Sequence, residues 1–242
     1  MCIRDRRRTD LSGSLYVRVN EPVSKHYLRD IEAAVACDID GIIVPKLEAR
    51  DQLLAASLLI ERAEGEPSGK RRIDIMLGIE SIAGVIDAVR LCAAHERIGS
   101  AYFGAEDFAS DIGARRTQAG EEVLYARSRV VLAAKSAGIV AIDQAVVEIR
   151  DEEQYRRDAE KGRDLGYGGK ICVVPRQVDI CNEVFAPTET EVAHARELMA
   201  VYEDATSRGL GTIDHKGKMI DGPLVKRAQA VLDVARLIKA RG

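Results

Sequence analysis

One repeating unit governs what this chain can fold into. Six short apolar runs, rich in β-branched or small residues, alternate with amphipathic stretches of helical period. The runs are Ser14–Val19, Gly41–Val44, Ile73–Ile79, Ser100–Phe103, Gly138–Ile142 and Gly169–Val174. Between them the spacing of apolar residues predicts helices over Lys25–Ala36, Ala49–Glu64, Ile82–Ala94, Ala119–Ala137 and Glu152–Leu165. Strand starts fall roughly 25 to 40 residues apart, the length of a βα unit with its loops. Continuous apolar strands between helices imply a parallel sheet with both faces covered, so the fold class is α/β. Six such units suit either an open doubly wound sheet or part of an eight-stranded barrel, and periodicity admits both.

The two ends of the chain break the pattern. Residues 1–13, opening with the basic run MCIRDRRRTD, lack the apolar core of a signal peptide and read either as a short solvated, disordered tail or, as the repeat pattern favours, as a start foreign to the native gene. Residues 14–187 carry the repeat. Residues 188–242 form a C-terminal helical segment, with helices over Glu189–Ser207 and Leu224–Ala240. Their connector, Arg208–Pro223, holds Gly209, Gly211, Gly217, Gly222 and Pro223, too much glycine for an interior strand, and reads as a loop.

Composition removes several classes of function. The 242 residues hold 36 Lys and Arg against 39 Asp and Glu, a net charge of −3, which leaves no basic field for a phosphate backbone. No run approaches the roughly 18 apolar residues of a membrane span. Neither nucleic acid nor membrane is therefore expected as a partner. The five cysteines, at positions 2, 37, 92, 172 and 181, have no metal-type spacing and read as small buried hydrophobes of a reducing cytoplasm. The glycine-rich turns of dinucleotide and nucleotide sites are absent, as is the nucleophile elbow of the α/β hydrolases.

Ligands of parallel α/β sheets bind beyond the carboxyl ends of the strands, so the residues there are the candidates for chemistry. The runs end in Arg18 and Asn20, Lys46 and Glu48, Glu80, Glu106 and Asp107, Asp143, and Pro175–Gln177. Glu80 and Asp107 follow adjacent strands, and two hard carboxylates completed by water and substrate oxygens suit Mg²⁺. Each also suits a place near a helix N-terminus, where the helix dipole favours negative charge. Arg18 interrupts an apolar strand, where a guanidinium needs a carboxylate or phosphate partner. A structural ion pair and a bound substrate both meet that need.

At these residues the chain resembles the CoA-ester lyase branch of the HpcH/HpaI aldolase and citrate lyase β-subunit family. The resemblance rests on LYVRVN, DGIIVPKLE, GIESIAGVIDA, YFGAEDFASDIG, AIDQAV, LGYGGKICVVPRQVDICNEVFAPT and GKMIDGPLVKRA, in family order. It implies a (β/α)₈ TIM barrel of the phosphoenolpyruvate/pyruvate type, in trimers or hexamers, performing Mg²⁺-dependent reversible C–C cleavage of acyl-CoA thioesters such as malyl-, citramalyl- or citryl-CoA. Glu80 and Asp107 match the Mg²⁺ ligands, with Glu80 also bordering the substrate. Arg18 matches the arginine on the carboxylate of a small 2-oxo acid, and Asp221 an aspartate that serves a neighbouring subunit as acid/base. By its position Asp221 is also the expected N-cap of the last helix.

Two departures from the family qualify that expectation. The family's first two strands have no counterpart here, so residues 14–187 are read as a barrel lacking two βα units. Val174 replaces the usual histidine before the proline of the sixth strand motif. A class II pyruvate-type aldolase acting on free 4-hydroxy-2-oxo acids and a non-catalytic truncated fragment are the competing readings.

Overall fold

The computed structural model describes residues 13–37, 39–65, 72–209, 211–215 and 217–240. The reading of the basic N-terminus falls on residues 1–12, outside the described range, apart from Gly13. The chain divides into two compact units, Met1–Val178 and Asp179–Gly242.

The first unit realises the βα repeat. Strands β1 (Tyr16–Arg18), β2 (Gly41–Val44), β3 (Asp74–Ile79), β4 (Ile98–Phe103), β5 (Val140–Asp143) and β6 (Gly169–Lys170) form one sheet. Every neighbouring pair is parallel and the strands lie in sequence order. A doubly wound sheet reverses its strand order at a switch point, and this sheet does not. The βα units here advance in one direction, as they do around a barrel.

Helices α1 (Tyr27–Val35), α2 (Arg50–Glu64), α3 (Ile82–Cys92), α4 (Ala105–Asp111), α5 (Glu121–Ser136), α6 (Glu152–Leu165) and α7 (Pro175–Phe185) follow the strands. Their starts are written in the sequence. Ser81 caps α3 by accepting a hydrogen bond from the Gly84 N–H at 3.2 Å, and Asp151 caps α6 through the Gln154 N–H at 2.8 Å. Gly166 ends α6 in the left-handed conformation, φ 101°. Ile42 and Val44 of β2, Ile75, Leu77 and Ile79 of β3, and Phe103 of β4 are wholly buried, with Leu53 and Ile60 of α2 and Leu91 of α3. Each such side chain contributes about 1.5–3 kcal/mol on leaving water.

Two elements depart from the sequence pattern. The sixth strand stops at Lys170, four residues early. The Gln177 side chain turns the chain by accepting the Val173 N–H at 2.9 Å, and Pro175 then opens α7. Pro175, Arg176 and Gln177 therefore begin a helix instead of ending a strand, a position that proline's fixed φ favours. The fourth run is followed by the short helix α4, which carries Asp107.

The second unit holds α8 (Glu189–Ser207), the antiparallel pair β7 (Ile213–His215) and β8 (Lys218–Ile220), and α9 (Gly222–Lys239). Thr188 and Glu191 form a reciprocal capping box at the start of α8, with Glu191 N–H to Thr188 Oγ1 at 3.1 Å and Thr188 N–H to Glu191 Oε2 at 2.7 Å. Its own core joins Ala195 and Leu198 to Ile220, Ala228 and Leu232. The connector expected as a loop contains a two-stranded hairpin, and its glycines stay out of the main sheet. Gly222 and Pro223 belong to the first turn of α9. Among the described residues no helix is long and apolar enough to cross a membrane.

Candidate functional site

Of the polar residues at the carboxyl ends of β1 to β4, Arg18, Lys46 and Asp107 act on Glu80, whereas Asn20 bonds Asp30 and Glu106 pairs with Arg116. Glu80 follows Ile79 directly and is 3% exposed. Ser81, not Glu80, caps α3. The Glu80 carboxylate takes its hydrogen bonds on one oxygen. Oε1 accepts from the Tyr102 hydroxyl and from the Lys46 backbone N–H at 3.2 Å.

Tyr102 lies in β4 directly across from Gly78 of β3. A Cβ on Gly78 would stand 2.5 Å from the Tyr102 hydroxyl oxygen and 2.6 Å from Glu80 Oε1. A Cβ on Gly104 would stand 2.6 Å from Glu80 Cγ and 2.7 Å from Oε2. The two glycines thus make the space in which the carboxylate lies.

Lys46 ties the second carboxylate to the first. It turns the chain two residues after β2 with φ 50°, left-handed for a side-chain-bearing residue. Its Nζ lies 3.1 Å from Asp107 Oδ1 and 3.9 Å from Glu21 Oε2. Asp107 itself is in the first turn of α4 and half exposed, so the helix-terminus reading of this residue also describes its position. Holding the non-glycine Lys46 in the left-handed region costs on the order of 1–3 kcal/mol, which the surrounding contacts must offset.

Charge in the site is closely matched. Burial pushes the Glu80 carboxyl above its ordinary value, the Tyr102 hydrogen bond and the charge of Arg18 oppose the rise, and Asp107 adds to it. The ion pair with Asp107 pushes Lys46 upward. Burial beside Glu80 drives the Tyr102 phenol well above its usual range. Arg18 ends β1 exposed at this end of the sheet, and its charge acts on the Glu80 carboxyl.

The charges of the three candidates Arg18, Glu80 and Asp107 come together in the first unit. Lys46 stands among the strand-end residues of the sequence, whereas Tyr102 lies within a run and is not among them. The signal for Tyr102 was a phenol at an inward strand position two residues before the Gly104 turn.

Asp143, another strand-end candidate, belongs to a different structure. It is fully buried, accepting from Arg127 Nε at 2.8 Å and Nη2 at 2.5 Å and pairing with Lys170 Nζ at 3.1 Å. Asp158 completes this network, bonded to Arg127 Nη1 at 3.0 Å and to Lys170. Asp221 stands at the N-cap of α9 in the second unit, half-buried, and its carboxylate makes no capping hydrogen bond. It occupies the expected cap position without acting as a cap.

Among the described residues no third His, Cys, Asp or Glu joins Glu80 and Asp107 in a metal-type cluster. Two carboxylates nevertheless fit a hard divalent cation. Mg²⁺ takes one or two carboxylates and completes its shell with water and substrate oxygens.

The sequence matches the HpcH/HpaI aldolase/citrate lyase family over residues 6–175. It is 40% identical to the citrate lyase subunit beta-like protein of Deinococcus radiodurans over 220 residues, 90% of this chain and 74% of that one. It is 38% identical to citrate lyase subunit beta of Leuconostoc mesenteroides subsp. cremoris, over 93% of this chain and 74% of the relative. Identity to the L-malyl-CoA/beta-methylmalyl-CoA lyase of Rhodobacter capsulatus is 30%, covering 93% and 77%. The fold superposes on the crystal structure of CitE from Mycobacterium tuberculosis, solved in complex with magnesium, acetoacetate and coenzyme A. That TM-score is 0.75 at 24% identity, over 91% of this chain and 77% of the other. The chain belongs to the HpcH/HpaI aldolase/citrate lyase family.

Proposed function

From that membership we propose that the chain is a Mg²⁺-dependent CoA-ester lyase of the citrate lyase β-subunit type. It would reversibly cleave the C–C bond of a 3-hydroxyacyl-CoA such as a malyl-, citramalyl- or citryl-type thioester. Family membership makes it a carbon–carbon lyase. The observation that carries the finer reading is the carboxylate pair Glu80 and Asp107, joined through Lys46 at the carboxyl ends of β3 and β4. We read the six sequential strands as an arc of a (β/α)₈ barrel, in which that end of the sheet is the active end. Residues 14–187 serve in this reading as the catalytic domain and 188–242 as a helical extension.

Each residue has a task set by its surroundings. Glu80 keeps Oε1 on Tyr102 and Lys46, so Oε2 would be the oxygen offered to the cation, and Asp107 would supply the second carboxylate. Mg²⁺ on this pair would draw electron density from the carbonyl of a 2-oxo acid such as glyoxylate. Arg18, exposed and delocalised, pairs with the carboxylate of that acid in the fork geometry an arginine offers. Asp221, whose carboxylate is not engaged in capping, moves the proton at the thioester methyl as the C–C bond forms or breaks, serving a neighbouring subunit of a trimer or hexamer. We assign the chain to the cytoplasm, the reducing setting that its scattered cysteines, without metal-type spacing, suit.

The test is turnover of malyl-, citramalyl- and citryl-CoA with and without Mg²⁺, following the CoA product. Cleavage of at least one ester that stops on chelation is expected. Cleavage of free 4-hydroxy-2-oxo acids without any CoA ester reaction would move the site to the pyruvate-type aldolases. No turnover of either class would leave the chain non-catalytic.

A further inference from the structure

We propose that Lys46 is a resident counter-ion that exchanges with the divalent cation: its ammonium holds Asp107 while the cation is absent and moves to Glu21 when the cation takes Asp107. The inference rests on the lyase reading of the Glu80–Asp107 pair and adds a mobile part to it. Three observations support it. The Lys46 backbone is anchored, its N–H on Glu80 Oε1 at 3.2 Å with φ 50°, so the side chain pivots from a fixed point. Its Nζ lies between two carboxylates, 3.1 Å from Asp107 Oδ1 and 3.9 Å from Glu21 Oε2. The side chain is 41% exposed, which leaves its four-carbon stem room to swing.

Electrostatics supplies the direction. A divalent cation and an ammonium sharing the Asp107 carboxylate would repel each other at contact distance, and repulsion falls with separation. Glu21 offers the ammonium a second negative partner without taking it out of the site. The exchange keeps the carboxylates from facing one another uncompensated before the cation arrives, and keeps a cation near them afterwards.

The experiment is Mn²⁺ binding to the whole chain, read from the electron paramagnetic resonance of free Mn²⁺ so that no activity is needed. Lys46→Met removes the competitor and should tighten Mn²⁺ by roughly two- to fivefold, the range of a half-exposed ion pair. Lys46→Gly should do the same, because its backbone adopts a positive φ without strain. Lys46→Arg keeps the charge and should bind close to wild type. Glu21→Gln should weaken binding, and that loss should shrink by at least half in the Lys46→Met background, the signature of coupled residues.

Weaker or unchanged binding in both Lys46→Met and Lys46→Gly would overturn the exchange, assigning Lys46 to holding Asp107 in place. So would an equal Glu21→Gln loss in both backgrounds. If the wild-type chain itself takes no Mn²⁺, the metal reading fails and this inference with it. Wild-type binding with the wrong response in the variants defeats the exchange alone.

Discussion

Tyr102 donates its hydroxyl hydrogen to Glu80 Oε1, and the two side chains share a space that exists because residues 78 and 104 are glycines. The phenol stands opposite Gly78 across the β3–β4 ladder. A buried carboxylate needs donors, and this one receives a side-chain donor from the neighbouring strand and a main-chain donor from Lys46. One oxygen is thereby held by the protein.

Filling that space should disable the site. Gly104→Ala and Gly78→Ala would each place a Cβ under 3 Å from Glu80 or Tyr102. Overpacking of this kind costs about 1–3 kcal/mol. Both variants should melt lower and lose Mn²⁺ affinity. A melt and titration matching wild type would show that Glu80 is not confined there.

The carboxylates themselves should be dispensable for folding. Glu80→Gln and Asp107→Asn should each abolish Mg²⁺-dependent turnover while leaving the circular dichroism spectrum intact. Burial raises the Glu80 carboxyl, so the folded chain binds its proton more tightly than the unfolded chain does. The contribution of Glu80 to stability therefore falls as pH rises from the ordinary carboxylate value through its raised one. Glu80→Gln removes that loss and should melt no lower than wild type at neutral pH without cation.

Cation binding should have an acid limit set by the same group. Because Glu80 is raised, Mn²⁺ affinity should decline at a pH above the ordinary carboxylate value. Tyr102→Phe removes a hydrogen bond that favours the ionised form, so the limit should move to still higher pH. A Mn²⁺ titration series across pH 4 to 7 (a range of roughly 3 units around ordinary carboxyl values) checks the sign.

The charge network beyond β5 and β6 should dominate stability. Arg127 and Asp143 are fully buried, and Lys170 Nζ bonds both Asp143 and Asp158. Lys170→Met or Arg127→Met leaves buried charge without its partner, a loss of about 3–5 kcal/mol in urea unfolding. Burial opposes ionisation of Asp158, but the charges of Lys170 and Arg127 outweigh it and hold the carboxyl below its ordinary value. Its contribution should therefore be complete above the ordinary aspartate range and vanish only as pH falls through that lowered value.

Arg18 should act on substrate and not on the fold. It is exposed at the end of a three-residue strand and acts on the fold only through the charge it sets near Glu80, so Arg18→Ala should cost no more than about 1 kcal/mol of stability. In the lyase reading it should raise KM for the 2-oxo acid far more than Arg18→Lys does. Equal KM values in the two variants would remove the bidentate role.

The fold is most legible in the sequence where the signal is local. The apolar run GIIV at positions 41–44 is a strand because both its faces are covered, and the structure reproduces those bounds. At the sixth strand the local pattern misleads, because ICVV at 171–174 has strand composition while the Gln177 side chain and Pro175 bend the backbone into α7. Asp143 stands among the candidates because strand-end position marks a residue for chemistry or for structure alike. Only the approach of Arg127 and Lys170 distinguishes the two.

The amino-acid pattern alone carries the βα alternation, the helix starts at Ile82, Glu152 and Glu189, and the presence of Arg18, Glu80 and Asp107 in or just after apolar runs. These follow from side-chain periodicity and from hydrogen bonds within a few residues, which a chain carries wherever it goes. The tertiary structure decided the sequential order of the strands, the Tyr102 hydrogen bond to a carboxylate 22 residues away and the Lys46 bridge between two carboxylates. Those relations depend on register between strands, where a slip of one residue turns every side chain to the opposite face. Register is set by packing of the whole sheet, and no local pattern contains it.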